Sequence, residues 1–203
     1  MDSDAVALRE ILCRYKKLSH KCLSEVERHC ELFTAERGED VVRQGSDSHH
    51  IYFLASGTVR VGLKKGRKED TVCFGGGGDV FFSLHAWWSG EPAAYSLGVL
   101  EACSGWKITF DSWRRLEQCH PELVDWMRTL LAEQLYSFER LYRSFAMTTP
   151  AERLSAYWDS TPASLRNIPP AILSRVVPLK YVAQYLGMAQ QTLSLLRRRL
   201  VGK

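Results

Sequence analysis

The sequence lacks several features that would place it in a common functional class. No run of 18 or more apolar residues occurs, and the opening MDSDAVALRE is acidic, so neither a membrane-spanning helix nor a secretion signal is indicated. No Cys-x-x-Cys pair occurs, and no motif pairs a nucleophile with a base. We therefore expect a cytoplasmic protein that is not an enzyme, that does not enter a membrane, and whose six cysteines are reduced.

The charge is mild overall but unevenly distributed along the chain. The 203 residues carry a net charge of +4 and are 45% hydrophobic, enough to bury a core and to form a second, smaller unit. Residues 147–203 contain eight Lys or Arg and two Asp or Glu, a net of +6, whereas the first 146 residues carry a net of −2. This asymmetry indicates that the C-terminal part meets a polyanion, although a solvated basic surface would have the same composition.

Hydrophobic periodicity divides the chain into helical and extended parts. Residues 5–31 have helical spacing, with a second helix after Ser19. From Leu32 to about Phe110, short runs rich in β-branched and aromatic residues alternate with turn residues, which predicts a sandwich or barrel. LKKGRKED, residues 63–70, is predicted to be a hairpin loop in which Gly66 takes a positive φ.

A long helix is predicted to begin at Pro121 and to reach about Phe145. It has two apolar faces, so we expect one to pack on the preceding domain and the other on a second copy of the chain. The alternative is a fully buried helix in a monomer. The first face comprises Val124, Met127, Leu131, Gln134, Phe138, Leu141 and Phe145, and the second comprises Leu123, Trp126, Leu130, Leu135 and Tyr142.

A new unit is predicted to start near Met147. Thr149, Pro150 and Glu152 form a capping box with proline at the first helical position. Further along, two short helices broken at Gly187 have the pattern of a helix-turn-helix. An ordinary helical hairpin is the alternative, but Arg197, Arg198 and Arg199 favour a phosphate-binding role.

These segments, in this order, resemble the Crp/Fnr family of transcription regulators from about Glu31 to Leu200. The likeness rests on VVRQGSDSHHIYFLASGTVRV, on GGGDVFF, on the long helix, on TTPAERL and on the final two helices. The resemblance implies an α+β protein. A double-stranded β-helix, or jelly-roll-like β-roll, would form a cyclic-nucleotide-binding-like sensor over residues 1–146, including a dimerisation helix over about 120–146. An all-α helix-turn-helix DNA-binding domain would follow over residues 147–203.

The resemblance also locates an effector pocket, in which this sequence departs from the family pattern. Members that bind cyclic AMP carry a Gly-Glu pair and an Arg-Ser pair, where this chain has Phe82-Ser83 and Ala93-Ala94. Without the arginine, a bound phosphate would lose its charge-assisted hydrogen bonds. We expect no control by cyclic AMP. The residues of this effector pocket would be Gly78, Phe82, Ser83, Leu84, Trp87, Ala93, Ala94, Tyr95 and Phe138.

Two states of that pocket are open at this stage: it is filled by its own aromatic side chains, including Phe81 and Trp88, or it holds a small apolar effector.

The cysteines Cys13, Cys22 and Cys30, with His20 and His29, have too wide a spacing for a cluster site. We therefore expect no metal and no cofactor.

Double-stranded DNA is the expected partner of a homodimer. The residues predicted to contact DNA are Lys180, Gln190, Gln191, Thr192, Ser194, Leu195, Arg197, Arg198 and Arg199. The leading hypothesis is therefore a sequence-specific DNA-binding transcription regulator. Because Leu195 stands where the family pattern carries an arginine, the alternative is a small-molecule or protein-binding module whose tail no longer binds DNA.

Overall fold

The computed structural model describes residues 7–160 and 176–201, with side chains given for most of them. Two short helices, α1 (Leu8–Tyr15) and α2 (His20–His29), precede the sheet. The hydroxyl of Ser19 caps α2 by accepting a hydrogen bond from the amide of Cys22 at 3.2 Å. The predicted helical start, with a break at Ser19, is confirmed over the described residues.

Six antiparallel strands form a jelly-roll-like sheet. They are β1 (Glu31–Ala35), β2 (Asp40–Val42), β3 (His50–Lys65), β4 (Lys68–Gly76), β5 (Val80–Phe81) and β6 (Ser96–Thr109). The order is β1-β6-β3-β4, with β2 also paired to β6 and β5 to β3. The long strands β3 and β6 pair with register shifts between Leu54 and Val59. Such irregularities bend a strand, so a single strand contributes to two regions of the roll.

The apolar run in β3 is explained by burial on both faces. Ile51 and Phe53 pack against the helices, whereas Tyr52 and Leu54 pack inside the roll. Because successive side chains of a strand point to opposite faces, a strand buried on both sides needs a continuous apolar run rather than an alternating one.

The structure confirms the hairpin but shortens its loop from residues 63–70 to Gly66 and Arg67, because β3 extends to Lys65 and β4 starts at Lys68. It also adds a helix that the sequence pattern did not predict. Gly66 has a φ of +61° in the turn between β3 and β4. The unpredicted helix is α3 (Leu84–Ser89), which lies within the aromatic stretch after the four glycines. Helix α4 (Phe110–Cys119) begins at Phe110, which the sequence pattern had placed at the end of the strands.

In the long helix, α5 (Glu122–Met147), the buried side chains lie in the first half, so burial differs more between its two halves than between the two predicted faces. Pro121 is its N-cap, not its first residue as predicted. Near the start, Leu123, Trp126 and Leu130 are at most 1% exposed, and the indole of Trp126 donates to the carbonyl of Leu12 at 2.6 Å. Met127, which the sequence placed on the first face with Leu131 and Phe138, is also buried. The helix is not fully buried in the single chain, because several large side chains in its second half are exposed: Leu135, Tyr136, Phe138, Tyr142 and Phe145.

Within the described residues that follow, three further helices are present: α6 (Pro150–Ser160), α7 (Leu179–Tyr185) and α8 (Gln190–Val201). The predicted capping box is confirmed, since the amide of Thr149 donates to Glu152 at 2.7 Å and the amide of Glu152 donates to the Thr149 hydroxyl at 3.3 Å. Among the described helices, none combines the length and apolar character that crossing a membrane requires.

Candidate effector pocket and nucleic-acid interface

The glycines of FGGGGDVFF accommodate the protein's own atoms. A Cβ added at Gly75 would lie 2.1 Å from the ring of Phe81, and one at Gly77 would lie 2.7 Å from the carbonyl oxygen of Ala55. Gly78 has a φ of +94°, and its carbonyl accepts from the guanidinium of Arg14 at 3.2 Å. The close approach that the glycines permit is therefore made by an aromatic ring and by backbone of the same chain.

Asp79 holds this turn together. One carboxylate oxygen accepts from the amide of Gly76 at 2.8 Å, and the other lies 3.4 Å from the guanidinium of Arg14. Burial raises the pKa of the Asp79 carboxyl, with the Gly76 amide and Arg14 acting in the opposite direction. The two groups that could bind an anion at this turn, the Gly76 amide and the Arg14 guanidinium, are therefore both already engaged by the Asp79 carboxylate.

Those predicted pocket residues whose side chains pack within the fold form two groups, and the others lie nearer the surface. Phe82 and Trp87 belong to the apolar cluster between the sheet and the helices. Both rings pack edge-on against Phe110, and the ring centroids of Trp87 and Phe110 are 5.1 Å apart. Ser83 is fully buried and caps α3, accepting from the amide of Ala86 at 3.3 Å. These three side chains serve helix capping and core packing.

The other cluster lies inside the roll. Ala93 is 2% exposed, and its amide and carbonyl bond to Ser46 and Gly45 at 2.9 and 2.8 Å. The hydroxyl of Tyr95 donates to the carbonyl of Phe82, and burial raises the pKa of Tyr95 to about 12. The Phe81 ring packs in this same interior cluster.

The remaining pocket residues lie nearer the surface. Leu84 is 46% exposed and Phe138 is 58% exposed, while Ala94 is half-buried. Within the single chain, these residues do not share a buried cluster with Phe82 or Tyr95.

A cleft of about 570 Å³ lies beside this region, between the loop before β3, helix α3 and the start of α4. The hydroxyl of Ser48 is buried there without a hydrogen-bond partner among the described residues, and Trp88 at the rim is 84% exposed. No sequence pattern indicated this cleft, because its walls come from segments as far apart as Asp47 and Arg114, 67 positions along the chain. The walls are Asp47, Ser48, His49, Ala86, Trp87, Trp88, Gly90, Glu91, Thr109, Phe110, Asp111, Arg114 and Arg115.

Helices α7 and α8 are joined by a tight turn in which Gly187 has a φ of +60°. Val182, Ala183, Leu186 and Leu193 are buried and hold the pair together, as the sequence spacing predicted. Gln190 and Gln191 at the start of α8 are exposed.

The other side chains predicted to contact DNA also lie on this pair of helices. Leu195 is 55% exposed, Arg198 is exposed, and Lys180 lies 4.5 Å from the ring centroid of Tyr181. Thr192, Ser194 and Arg197 are half-buried, and the side chain of Arg199 lies outside the described part of the structure.

Helix α7 also packs against β4, a contact that no sequence pattern indicated. The amide of Gln184 donates to the carbonyl of Glu69 at 2.7 Å, and its oxygen accepts from the Thr71 hydroxyl at 2.8 Å. Beside it, Phe74 of β4 lies in one apolar cluster with the residues that hold α7 and α8 together, its ring 5.7 Å from that of Tyr185. The sheet and the C-terminal helices therefore share a small core.

Comparison with known proteins agrees with this architecture. Residues 32–119 match the family model of the cyclic nucleotide-binding domain. The cAMP-activated global transcriptional regulator CRP of Haemophilus influenzae is 23% identical over 128 residues, which are 63% of this chain. The match spans 57% of the length of that relative, less than two thirds.

Solved regulators extend the likeness to the C-terminal helices. The c-di-GMP responsive global regulator CLP of Xanthomonas campestris aligns over 91% of this chain and 92% of its own, with a TM-score of 0.69 and 15% identity. FixK2 of Bradyrhizobium japonicum aligns over 85% of each chain, with a TM-score of 0.73 and 17% identity. Residues 32–119 thus match the cyclic nucleotide-binding domain family, within a chain that has the fold of CRP-type regulators.

Proposed function

We propose that the chain is a sequence-specific DNA-binding transcription regulator of the Crp/Fnr type. The observation that carries the proposal is the presentation of α8. Leu193 anchors the helix in the core, while Gln190 and Gln191 at its N-terminal end and Arg198 further along are exposed. A helix held this way can enter a major groove with its first residues against base edges.

The exposed groups suit distinct parts of a DNA duplex. The amides of Gln190 and Gln191 can make paired hydrogen bonds to adenine, and Leu195 can contact a thymine methyl group. Arg197, Arg198, Arg199 and Lys180 would bind phosphates, and Thr192 and Ser194 would reach bases or phosphates. The net charge of +6 over residues 147–203 adds electrostatic attraction to the DNA phosphates.

The active form is proposed to be a homodimer built on α5. Several large apolar side chains on the second half of this helix are exposed in the single chain, and exposed apolar patches of this kind mark interfaces. A twofold axis along α5 would place two α8 helices on the same face of DNA. The proposed sensor unit comprises residues 1–146 with α5, and the proposed DNA-binding unit comprises residues 147–203.

The proposed regulator is not controlled by cyclic AMP. Ala93 is buried with both backbone groups bonded, so its position offers a phosphate no side-chain donor. The nearby cation, Arg14, is paired with Asp79. The packing of Phe81 and Tyr95 within the roll favours an interior filled by its own side chains.

Two matched variants test DNA binding at the residue level. Arg198→Ala should reduce the slope of log affinity against log salt concentration by about one without changing sequence preference, because one phosphate contact is lost. Gln191→Ala should relax sequence preference and leave the salt slope unchanged. If neither substitution alters DNA affinity, the DNA-binding proposal fails, and a small-molecule or protein-binding module becomes the better interpretation.

A further inference from the structure

Three potential metal-binding side chains, distant in sequence, meet where α2 reaches the junction between α4 and α5. They are Cys22 of α2, His120 at the C-terminal end of α4 and Glu122 in the first turn of α5. One ligand atom of each lies within 4.8 Å of the others. Cys22 is fully buried, His120 is 9% exposed, and Glu122 is half-buried.

This grouping differs from the one that the sequence suggested. Along the sequence, Cys22 is grouped with Cys13, Cys30, His20 and His29, and from that spacing we expected no metal. In the structure, Cys13, His20 and His29 are exposed. The partners of Cys22 are about a hundred residues away along the chain, so no short motif could have indicated them.

The set of donor atoms suits zinc. Thiolate sulfur, imidazole nitrogen and carboxylate oxygen are the three ligand types that zinc takes in proteins, and three protein ligands with one open position make a complete tetrahedral site. The usual zinc–ligand bond lengths put neighbouring ligand atoms about 3.5 Å apart. The three ligand atoms lie within 4.8 Å of one another, so they need to approach by no more than about 1.3 Å to reach that spacing.

The surrounding hydrogen bonds hold the carboxylate in place. Its two oxygens accept from the Ser19 amide at 3.0 Å and from the Ser19 hydroxyl at 2.6 Å. The same hydroxyl accepts from the Cys22 amide, so one residue orients two of the three ligands. Outer hydrogen bonds of this kind fix ligand orientation in metal sites.

We propose that Cys22, His120 and Glu122 bind one zinc ion and thereby tie α2 to the start of the long helix α5. On binding, the Cys22 sulfur exchanges its proton for the metal, and that proton passes to the solvent. The fourth position is open to water. Because α5 begins at this site, the ion would stabilise the end of the helix that packs on the sensor core.

The test uses the full chain, first treated with a chelator and then titrated with zinc chloride by calorimetry and with cobalt chloride by absorption spectroscopy. We expect one ion per chain and a thiolate-to-cobalt charge-transfer band. Cys22→Ser should abolish the band and weaken zinc binding by more than about 100-fold, and Glu122→Gln should weaken it by at least tenfold. Cys13→Ser and His20→Ala are matched controls, exposed and close in sequence, and should bind as the parent does.

Serine is nearly isosteric with cysteine, so we expect the Cys22→Ser variant to fold. Circular dichroism of the variant then separates loss of a ligand from misfolding as the cause of a missing cobalt band. Absence of saturable binding by the parent would overturn the proposal. So would a folded Cys22→Ser variant that binds with unchanged stoichiometry and affinity, since the ion would then lie elsewhere.

Discussion

The guanidinium carbon of Arg60, in β3, lies 3.9 Å from the ring centroid of Tyr181 in α7. The Arg60 side chain is 8% exposed, and its charge is paired with Glu69 at 2.5 Å. A buried cation of this kind needs both its ion pair and its aromatic cover, because desolvation of an unpaired charge is costly. The β3–β4 hairpin therefore fixes where α7, and with it α8, lies relative to the sheet.

Gln184→Ala should loosen this contact selectively. The change removes the acceptor of the buried Thr71 hydroxyl and a donor to the Glu69 carbonyl, a loss of about 1–3 kcal/mol for groups left unpaired. We expect faster hydrogen exchange of the α7 amides and unchanged exchange in β3 and β6. Gln190→Ala, on the exposed start of α8, is the control and should leave both unchanged. Equal acceleration of all amides would show that the contact has no separate role.

Asp79→Asn should alter the pH dependence of stability. Burial raises the Asp79 pKa above its ordinary value of 3.8, so the folded state holds this proton more tightly than the unfolded state. The Asp79 carboxyl therefore contributes its full stabilisation below its ordinary pKa of 3.8, and this contribution is lost as pH rises through the folded-state pKa. Asparagine can still accept from the Gly76 amide without a buried charge.

We therefore expect Asp79→Asn to have a higher urea midpoint than the parent at pH 7 and the same midpoint below about pH 4. The exposed Asp47→Asn variant provides the control and should follow the parent throughout. A lower midpoint for Asp79→Asn at neutral pH would show that the Arg14 pair outweighs the cost of burial.

Replacing both Leu135 and Phe138 with lysine should convert the proposed dimer into folded monomers. The two side chains are 61% and 58% exposed in the single chain, so the fold itself does not depend on them. Sedimentation velocity measures the mass, and circular dichroism checks the fold. Glu133→Lys, also exposed on α5, should remain dimeric. A double variant that sediments as a folded dimer would place the interface elsewhere.

Cyclic AMP should not bind specifically. The positions that hold ribose and phosphate in the resembled family are Ser83 and Ala93, both buried and both engaged in backbone contacts. Calorimetry at millimolar nucleotide should give no saturable heat for cyclic AMP or cyclic GMP. A dissociation constant in the micromolar range would contradict this reading of the pocket.

Locally encoded features could be predicted from the sequence, and contacts between distant segments could not. The capping box of Thr149 and Glu152 spans three residues, and the turn at Gly66 depends on one, so neighbouring residues suffice to indicate them. Apart from α3, the order of the described helices and strands follows in the same way from periodicity.

Side-chain placement across the fold depends on packing. The two states of the effector pocket stayed open because the sequence cannot show that the Phe81 ring lies against Gly75. The bond between Gln184 and Thr71 joins residues 113 positions apart, and both residue types are common on surfaces. The division of α5 into a buried and an exposed half has the same origin, since α1 and α4 cover only its first turns.

The central claim is that this chain reads DNA sequence as a dimer. Selection from a pool of random duplex DNA by the purified 203-residue chain, followed by sequencing of the bound fraction, tests it most directly. We predict enrichment of an inverted repeat whose half-sites are centred about one helical turn apart and favour A·T pairs, without added cyclic nucleotide. Recovery of no repeat, or of sequences no different from the input pool, would contradict the claim.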